Sequence, residues 1–263
     1  MNTIIYTDMD GTLLDHKTYT YKPAIEMLDY IKEKKIPLIL TSSKTRQEII
    51  LWQKKLNIHE PFISENGAAI FFPEGYKGFD LSSYPIMEGY RVALLGKDYS
   101  FITTYLETIR DKYSIKGFAQ MSTEEVVKET GLSNKNAEIA KNRDFTEPFL
   151  IEDSSLVPLL EKEAKIYGLK ITQGGRFFHC IGAYQDKGKA LEIAQAIYRR
   201  NGYEAKSIAL GDGKNDESML LSSDIAIQIP NHENEFVKMD VPNVIKAKYS
   251  GPKGWANSLK EIL

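Results

Sequence analysis

The sequence predicts an α/β protein built on a parallel sheet, with a second α/β segment inserted into it. Three observations carry this. The β-prone run Thr3 to Thr7, a helix-patterned stretch after Pro23 and the compact apolar run Ile36 to Thr41 give a strand, helix, strand order, which in an open sheet is a right-handed parallel crossover. Acidic residues then cluster where strands stop: Asp8 and Asp10 follow Thr7, and Asp212 and Asp216 follow the short strand Ser207 to Leu210. The carboxyl ends of parallel strands face the ligand crevice, so these side chains meet solvent and substrate rather than core. Between about residues 82 and 182 the rhythm changes, and no strand there ends in an acid motif. The expected division is residues 1–81 as the first part of a core, 82–182 as an insert and 183–263 as the rest of the core.

Taken in order, Tyr6-Thr7-Asp8-Met9-Asp10-Gly11-Thr12 places two carboxylates one residue apart after a strand. One can attack phosphorus while the other protonates the leaving oxygen and then activates water; Asp-Gly is equally a common turn. Leu13 occupies the position where a calcium-binding loop needs glycine. Pro23 opens a helix whose apolar residues Ala24, Met27, Leu28 and Ile31 share one face, running to about Lys35. After the strand ending at Thr41, Thr45 and Glu48 form a capping box, so a helix N-terminus faces the same crevice as Asp8. Ser42, Ser43, Lys44 and Arg46 crowd that strand end, more hydroxyl and charge than capping needs. Phe62 to Phe71 reads as a hairpin with Asn66-Gly67 as a two-residue turn.

Within the insert, Tyr90 to Leu95 is strand-like and Phe101 to Tyr113 helical. Ser122 and Glu125 form a second capping box, and Leu156, Leu159, Leu160 and Ala164 mark a helix face. Gly174-Gly175-Arg176 is either a turn before a strand or a place where backbone and a planar guanidinium meet an anion. The core resumes at Asp186-Lys187-Gly188-Lys189, a helix start. Gly182 to Lys189 imitates a phosphate-binding loop but has one residue too many, and Ala190 replaces the required hydroxyl.

Composition excludes several classes. The 263 residues are 42% hydrophobic and 27% charged, ordinary for a globular protein of one or two domains. A formal net charge of −2 offers no basic stripe for nucleic acid, so an anionic ligand must be held by locally placed cations. The single Cys180 forms no internal disulfide and fits a reducing compartment. No stretch reaches the roughly 18 apolar residues of a membrane span. A cytoplasmic protein with a small-molecule partner, and neither a membrane nor a nucleic-acid partner, is expected. The four histidines lack zinc-ligand spacing, and there is no Gly-x-Ser-x-Gly elbow.

Asp8-x-Asp10, Ser42, Lys187 and Asp212 with Asp216 resemble, in order, the four motifs of the haloacid dehalogenase superfamily. That resemblance implies a Rossmann-like doubly wound core with an inserted α/β cap, and a Mg²⁺-dependent phosphatase working through an aspartyl-phosphate. Carried over by position, Asp8 is the nucleophile and Asp10 the general acid/base. Asp8, Asp212 and the main-chain carbonyl of Asp10 would hold Mg²⁺, Asn215 and Asp216 would orient its waters, and Ser42 and Lys187 would hold the phosphoryl oxygens. The extra hydroxyl residue in Thr41-Ser42-Ser43-Lys44 leaves Thr41 as the alternative to Ser42. Further runs resemble one branch, the mannosyl-3-phosphoglycerate phosphatases: Thr41 to Arg46, Glu65-Asn66-Gly67, Arg143 to Phe149, Gly174 to Phe177 and Ser250 to Trp255. The implied substrate is a phosphorylated sugar acid and the product mannosylglycerate, a compatible solute. Ser43, Lys44, Thr45, Arg46, Glu65, Asn66, Gly175, Arg176 and Lys189 are the substrate-binding candidates, with Glu147 a further polar one. Another sugar-phosphate phosphatase, a phosphomutase or a non-catalytic sugar-phosphate-binding relative are the competing readings.

Overall fold

A computed structural model describes residues 2–174 and 176–263. The chain runs β1 (Asn2–Thr7), α1 (Ile25–Glu33), β2 (Leu38–Thr41), α2 (Arg46–Leu56), β3 (Phe62–Ser64), β4 (Ala69–Pro73), β5 (Ile86–Met87), β6 (Tyr90–Leu94) and α3 (Tyr99–Tyr113). It continues through β7 (Ile115–Gly117), α4 (Thr123–Thr130), α5 (Asn134–Lys141), β8 (Glu147–Ile151), α6 (Val157–Ile166), β9 (Leu169–Gly174) and β10 (Phe177–Gly182). The last stretch is α7 (Lys187–Arg200), β11 (Ala205–Gly211), α8 (Glu217–Leu221), β12 (Ile225–Gln228), β13 (Ile245–Lys246) and α9 (Gly251–Lys260).

Nine strands form the larger sheet in the order β13-β12-β11-β1-β2-β3-β4-β6-β5, parallel from β13 to β3 and antiparallel beyond. In its interior lies β1, whose Ile4, Ile5 and Tyr6 are wholly buried. Residues alternate to two faces of a strand, and each face meets its own core. Ile5, Leu40 and Leu210 pack with α1, α2 and α9, while Ile4, Tyr6 and Ala209 pack against Ala190, Ala194 and Ile197 of α7. From β1 the chain winds outward through β2, then much later returns to the other side as β11. The gap between β1 and β11 is therefore a topological switch point, the place where such sheets bind ligands.

The second sheet is antiparallel, in the order β7-β8-β10-β9. One face, carrying Phe149, Ile171 and Cys180, is covered by Ile102 and Leu106 of α3 and by Leu160 and Ala164 of α6. On the other face α4 and α5 cover only the part around Leu150 and Phe177. The rest of that face looks onto the carboxyl ends of the large sheet. Among the described residues no helix is long and apolar enough to cross a membrane.

Three expectations need correction. The insert begins later than residue 82, because β5 and β6 pair with β4 in the large sheet, Ala69 opposite Leu94 and Pro73 opposite Tyr90. The antiparallel pairing covers an edge that β4 would otherwise expose. Strand β7, three residues long, carried too short a pattern to be seen, and Leu159 is 53% exposed while Leu160 and Ala164 fill the core. The β3–β4 turn holds four residues, not two. Glu65, Asn66 and Gly67 have φ of 48°, 59° and 85°, and the amides of Gly67 and Ala68 both donate to the carbonyl of Ser64.

That left-handed run pushes the backbone of Gly67 against the start of α7, where a Cβ would overlap the carbonyl of Asp186. Gly67→Ala thus combines a positive φ with a backbone clash. It should cost more than about 2 kcal/mol, read as a lower urea midpoint at unchanged slope; a loss under half that size would mean the loop shifts freely.

Candidate active site

Parallel pairing sets the geometry of the site. Thr7 stands opposite Leu210 in the β1–β11 register, and the amide of Asp8 extends the ladder by donating to the carbonyl of Leu210 at 2.9 Å. Both chains then leave the sheet side by side. The first curls tightly, with Gly11 N–H donating to Leu14 O and Leu14 N–H to Met9 O. Gly11 has φ 82° and lies so close to the Asp212 carboxylate that a Cβ would overlap it. Thr12 Oγ1 donates to Asp212 Oδ1 at 2.8 Å, stitching the two strand ends together. From below, Trp255 Nε1 donates to Thr7 Oγ1 at 3.0 Å, and that hydroxyl donates to the carbonyl of Asp8 at 2.7 Å.

Lys187, the first residue of α7, is 1% exposed. Its Nζ lies 2.6 Å from Asp8 Oδ1 and 2.6 Å from Asp216 Oδ1. Asp216 in turn accepts the amides of Asp212 and Gly213 on Oδ2, so both of its oxygens are engaged. Asp8, Asp212 and Asp216 each bring a carboxylate oxygen within 4.8 Å of the others. Burial, and then the Asp216 charge, push the Asp8 carboxyl up to about 7 despite Lys187. Asp212 is pushed well above the usual carboxylate range by burial and by Asp8. Burial works against the Lys187 ammonium, yet Asp216 and Asp8 outweigh it and hold its proton firmly. The two partners of one ion pair thus both bind protons more tightly, because a single ammonium faces three carboxylates. With all three carboxylates ionised two negative charges would be unbalanced, a deficit that a divalent cation would offset. Asp8 Oδ2 and Asp212 Oδ2 accept no hydrogen bond from described residues, and these hard oxygens suit Mg²⁺.

Asp10 lies beside this group. Its Oδ2 is 2.7 Å from Lys44 Nζ, which also packs over the Tyr19 ring at 5.3 Å, and its Oδ1 is buried with no partner. Ser42 is buried at the end of β2, and its Oγ accepts the Lys44 amide at 3.2 Å. Thr41 Oγ1 instead reaches back to the carbonyl of Ile39 on its own strand. Asn66 Oδ1 accepts from Asn215 Nδ2 at 3.1 Å, while Asn66 Nδ2 is buried and unpartnered. A cavity of about 250 Å³ opens here, lined by Asn66, Lys187, Lys214 and Asn215 from the large domain and by Lys170 and Thr172 of β9. A larger one of about 380 Å³, between Leu220, Ile225 and Val241, holds none of these side chains.

Other candidates are placed elsewhere. Glu65 is wholly buried, and its carboxylate accepts the amides of Asp144 and Phe145 and the hydroxyl of Thr146, with Arg143 Nε 3.4 Å away. Those partners turn it inward to the join with residues 143–146, away from solvent. Burial raises its pKa and Arg143 opposes the rise. Arg46 spends its guanidinium on Asp144 at 3.1 Å and on both oxygens of Glu88. Thr45 caps α2 and donates to the carbonyl of Ile139 on α5, and Ser43 gives its carbonyl to Arg143 Nη2 at 2.8 Å. Glu147 is spent on the Ala119 amide and the Tyr99 hydroxyl. Lys189 is exposed, over the Tyr184 ring. Arg176 is 3.5 Å from Glu129 with its side chain 60% exposed and does not line the cavity, while Gly175 lies outside the described residues.

The sequence reading assigned no role to the residues that join the two sheets: Arg143 beneath Ser43, and Gln185, whose Oε1 accepts the Gly182 amide while its Nε2 donates to the carbonyl of Glu65. Nor did it single out Lys170 and Thr172, although the alternation Lys170-Ile171-Thr172 before the glycine turn marks a strand with one polar face.

Residues 5–249 match the family model of haloacid dehalogenase-like hydrolases, and the chain belongs to that family. It is 48% identical to a glucosyl-3-phosphoglycerate/mannosyl-3-phosphoglycerate phosphatase of Persephonella marina, across 99% of this chain and 97% of that one. A protein of the same description from Methanococcoides burtonii is 40% identical across 100% of this chain and 98% of the other. The solved structure of a haloacid dehalogenase-like hydrolase from B. subtilis covers 100% of both chains at a TM-score of 0.69 and 16% identity, sharing the fold.

Glu65 makes a prediction about the join. Glu65→Ala leaves the Arg143 guanidinium buried without its carboxylate, which costs about 3 to 5 kcal/mol, and Glu65→Gln, which keeps acceptor and shape, should cost less. Urea unfolding of the two variants checks this; equal, small losses would show that the Glu65–Arg143 pair contributes little.

Proposed function

We propose that this chain hydrolyses the phosphate ester of mannosyl-3-phosphoglycerate and of its glucosyl counterpart, through a phosphoryl group carried on Asp8. It is a phosphoric monoester hydrolase of the haloacid dehalogenase-like family. The observation that carries the mechanism is the placement of Asp8: one oxygen held by Lys187, the other without a hydrogen-bond partner among the described residues, and a second carboxylate, Asp10, two residues on. The substrate rests on the full-length likeness to the two phosphatases.

One oxygen of the Asp8 carboxylate attacks phosphorus, forming an O–P bond as the bond from phosphorus to the glycerate oxygen breaks. Asp10 gives that oxygen its proton, so the sugar acid leaves neutral at its new hydroxyl. Asp10, now charged and held by Lys44, takes a proton from water as the water attacks phosphorus, and Asp8 is released with inorganic phosphate. Lys187 stays charged throughout and offsets the charge that gathers around the phosphoryl oxygens, and Ser42 donates its hydroxyl proton to one of them. Asp8 and Asp212, with the Asp10 main-chain carbonyl, would hold Mg²⁺, and Asn215 and Asp216 would stand behind them. When bound, the cation supplies the positive charge that lets a dianionic phosphate approach the carboxylates.

Asp8→Asn should abolish phosphate release with an unchanged circular dichroism spectrum, and Asp10→Asn should lower kcat by roughly 10²- to 10⁴-fold. Near-normal turnover by Asp8→Asn would refute the covalent step. Activity should vanish in chelator, return with Mg²⁺ and be lost in Asp212→Ala. Full turnover in a preparation proved metal-free by elemental analysis would overturn the metal assignment.

A further inference from the structure

The uncovered part of the small sheet faces the catalytic cavity with a polar set. In the β9–β10 register Thr172 stands opposite His179 and Lys170 opposite Ile181, so these four side chains point to the same face. Ile171 and Cys180 point to the other, into the α3–α6 core. Lys170, Thr172 and Ile181 line the cavity shared with Asn66 and Asn215. Behind that lining, opposite Thr172 on the same strand face, His179 is 6% exposed and its Nδ1 has no hydrogen-bond partner among the described residues; Asn66 Nδ2, on the cavity wall, has none either. A buried, unsatisfied polar atom is costly unless a ligand engages it.

The cations of the cavity differ in how far they are committed. Lys187 is held by two carboxylates at 2.6 Å and Lys214 by Glu217 at 2.5 Å. Lys170 has only Asp186, at 3.9 Å, beyond hydrogen-bond reach, and Asp186 already spends its other oxygen on the amide of Lys189. The ammonium is only 36% exposed at the side-chain level, so it gives up hydration without gaining a close partner. A carboxylate arriving in the cavity would supply one.

We propose that Lys170, Thr172 and His179 form the recognition face for the part of the substrate beyond the phosphoryl group, Lys170 pairing with the glycerate carboxylate and His179 and Thr172 with hydroxyls. The inference rests on the proposed function and assigns its specificity to a strand face rather than to Arg176, whose guanidinium is turned to Glu129. His179 serves as a neutral ring, since burial, reinforced by Arg143 and Lys187, holds its pKa down to about 3.

The test compares kcat/KM for mannosyl-3-phosphoglycerate with that for para-nitrophenyl phosphate, a phosphate ester without carboxylate or sugar. Both use the same phosphoryl centre, so partial misfolding cancels in the ratio. Lys170→Met should lower the ratio by about ten- to a hundred-fold, Lys170→Arg should restore most of it, and Arg176→Ala should change it less than about threefold. His179→Phe should raise KM for the sugar substrate, with partial recovery in His179→Gln. A wild-type enzyme that prefers the sugar substrate while Lys170→Met keeps the same ratio overturns the inference and leaves the proposed function standing. A wild-type enzyme with no such preference overturns both.

Discussion

One buried ammonium shared among carboxylates is the constraint on which this molecule turns. Lys187 touches Asp8 and Asp216, and Asp212 completes the group. Such a cluster exists only if three distant pieces of chain end at one point. The β1–β11 pairing brings two of them, and the N-terminus of α7 brings the third. The helix start adds its own positive end to the Lys187 charge. Burial raises every electrostatic stake, because charges removed from water interact more strongly and cost more when unbalanced. Among the described residues the cluster therefore holds three carboxylates against one ammonium.

The second dependence is the join between the sheets. Glu65 gathers three donors from residues 144 to 146, Arg143 reaches back to the Ser43 carbonyl, and Thr45 reaches Ile139. All of these contacts act within a few residues of Ser42. The loop that carries Ser42 is thus braced by the insert itself. The small sheet is more than a cover: it shapes the floor of the site it faces.

Much of this was legible in the sequence because strand ends leave local marks. A β-prone run followed by Asp-x-Asp-Gly-Thr, and a capping box after an apolar strand, are short-range patterns whose chemistry follows from position on a sheet. The same logic does not show the internal partners of Glu65, Arg46 and Glu147. Charged residues beside a motif look like ligand groups, yet these three are consumed by Arg143, Asp144, Glu88, Tyr99 and the Ala119 amide, partners 40 to 100 residues away or otherwise outside the local pattern. Pairing at that distance carries no local signature. Strand β7 failed for the opposite reason, being too short to show a period, and the join at β5 and β6 was hidden because edge strands need only a partner, not a distinctive sequence.

The pairing of β1 with β11 also governs how the protein comes into being. Thr12 and Asp212 bond across 200 positions of chain, so the loop after β1 is synthesised long before the strand that completes its surroundings. During that interval β1 can pair with β2, but its other edge has no neighbour, and an open central edge is the kind of surface that recruits other chains. Long-range parallel pairing is also slow to form. A nascent chain of this design carries Asp8 and Asp10 before Lys187 or Asp212 exists. Completion of the buried carboxylate cluster and protection of the open edge of β1 are acquired in the same event, when β11 docks.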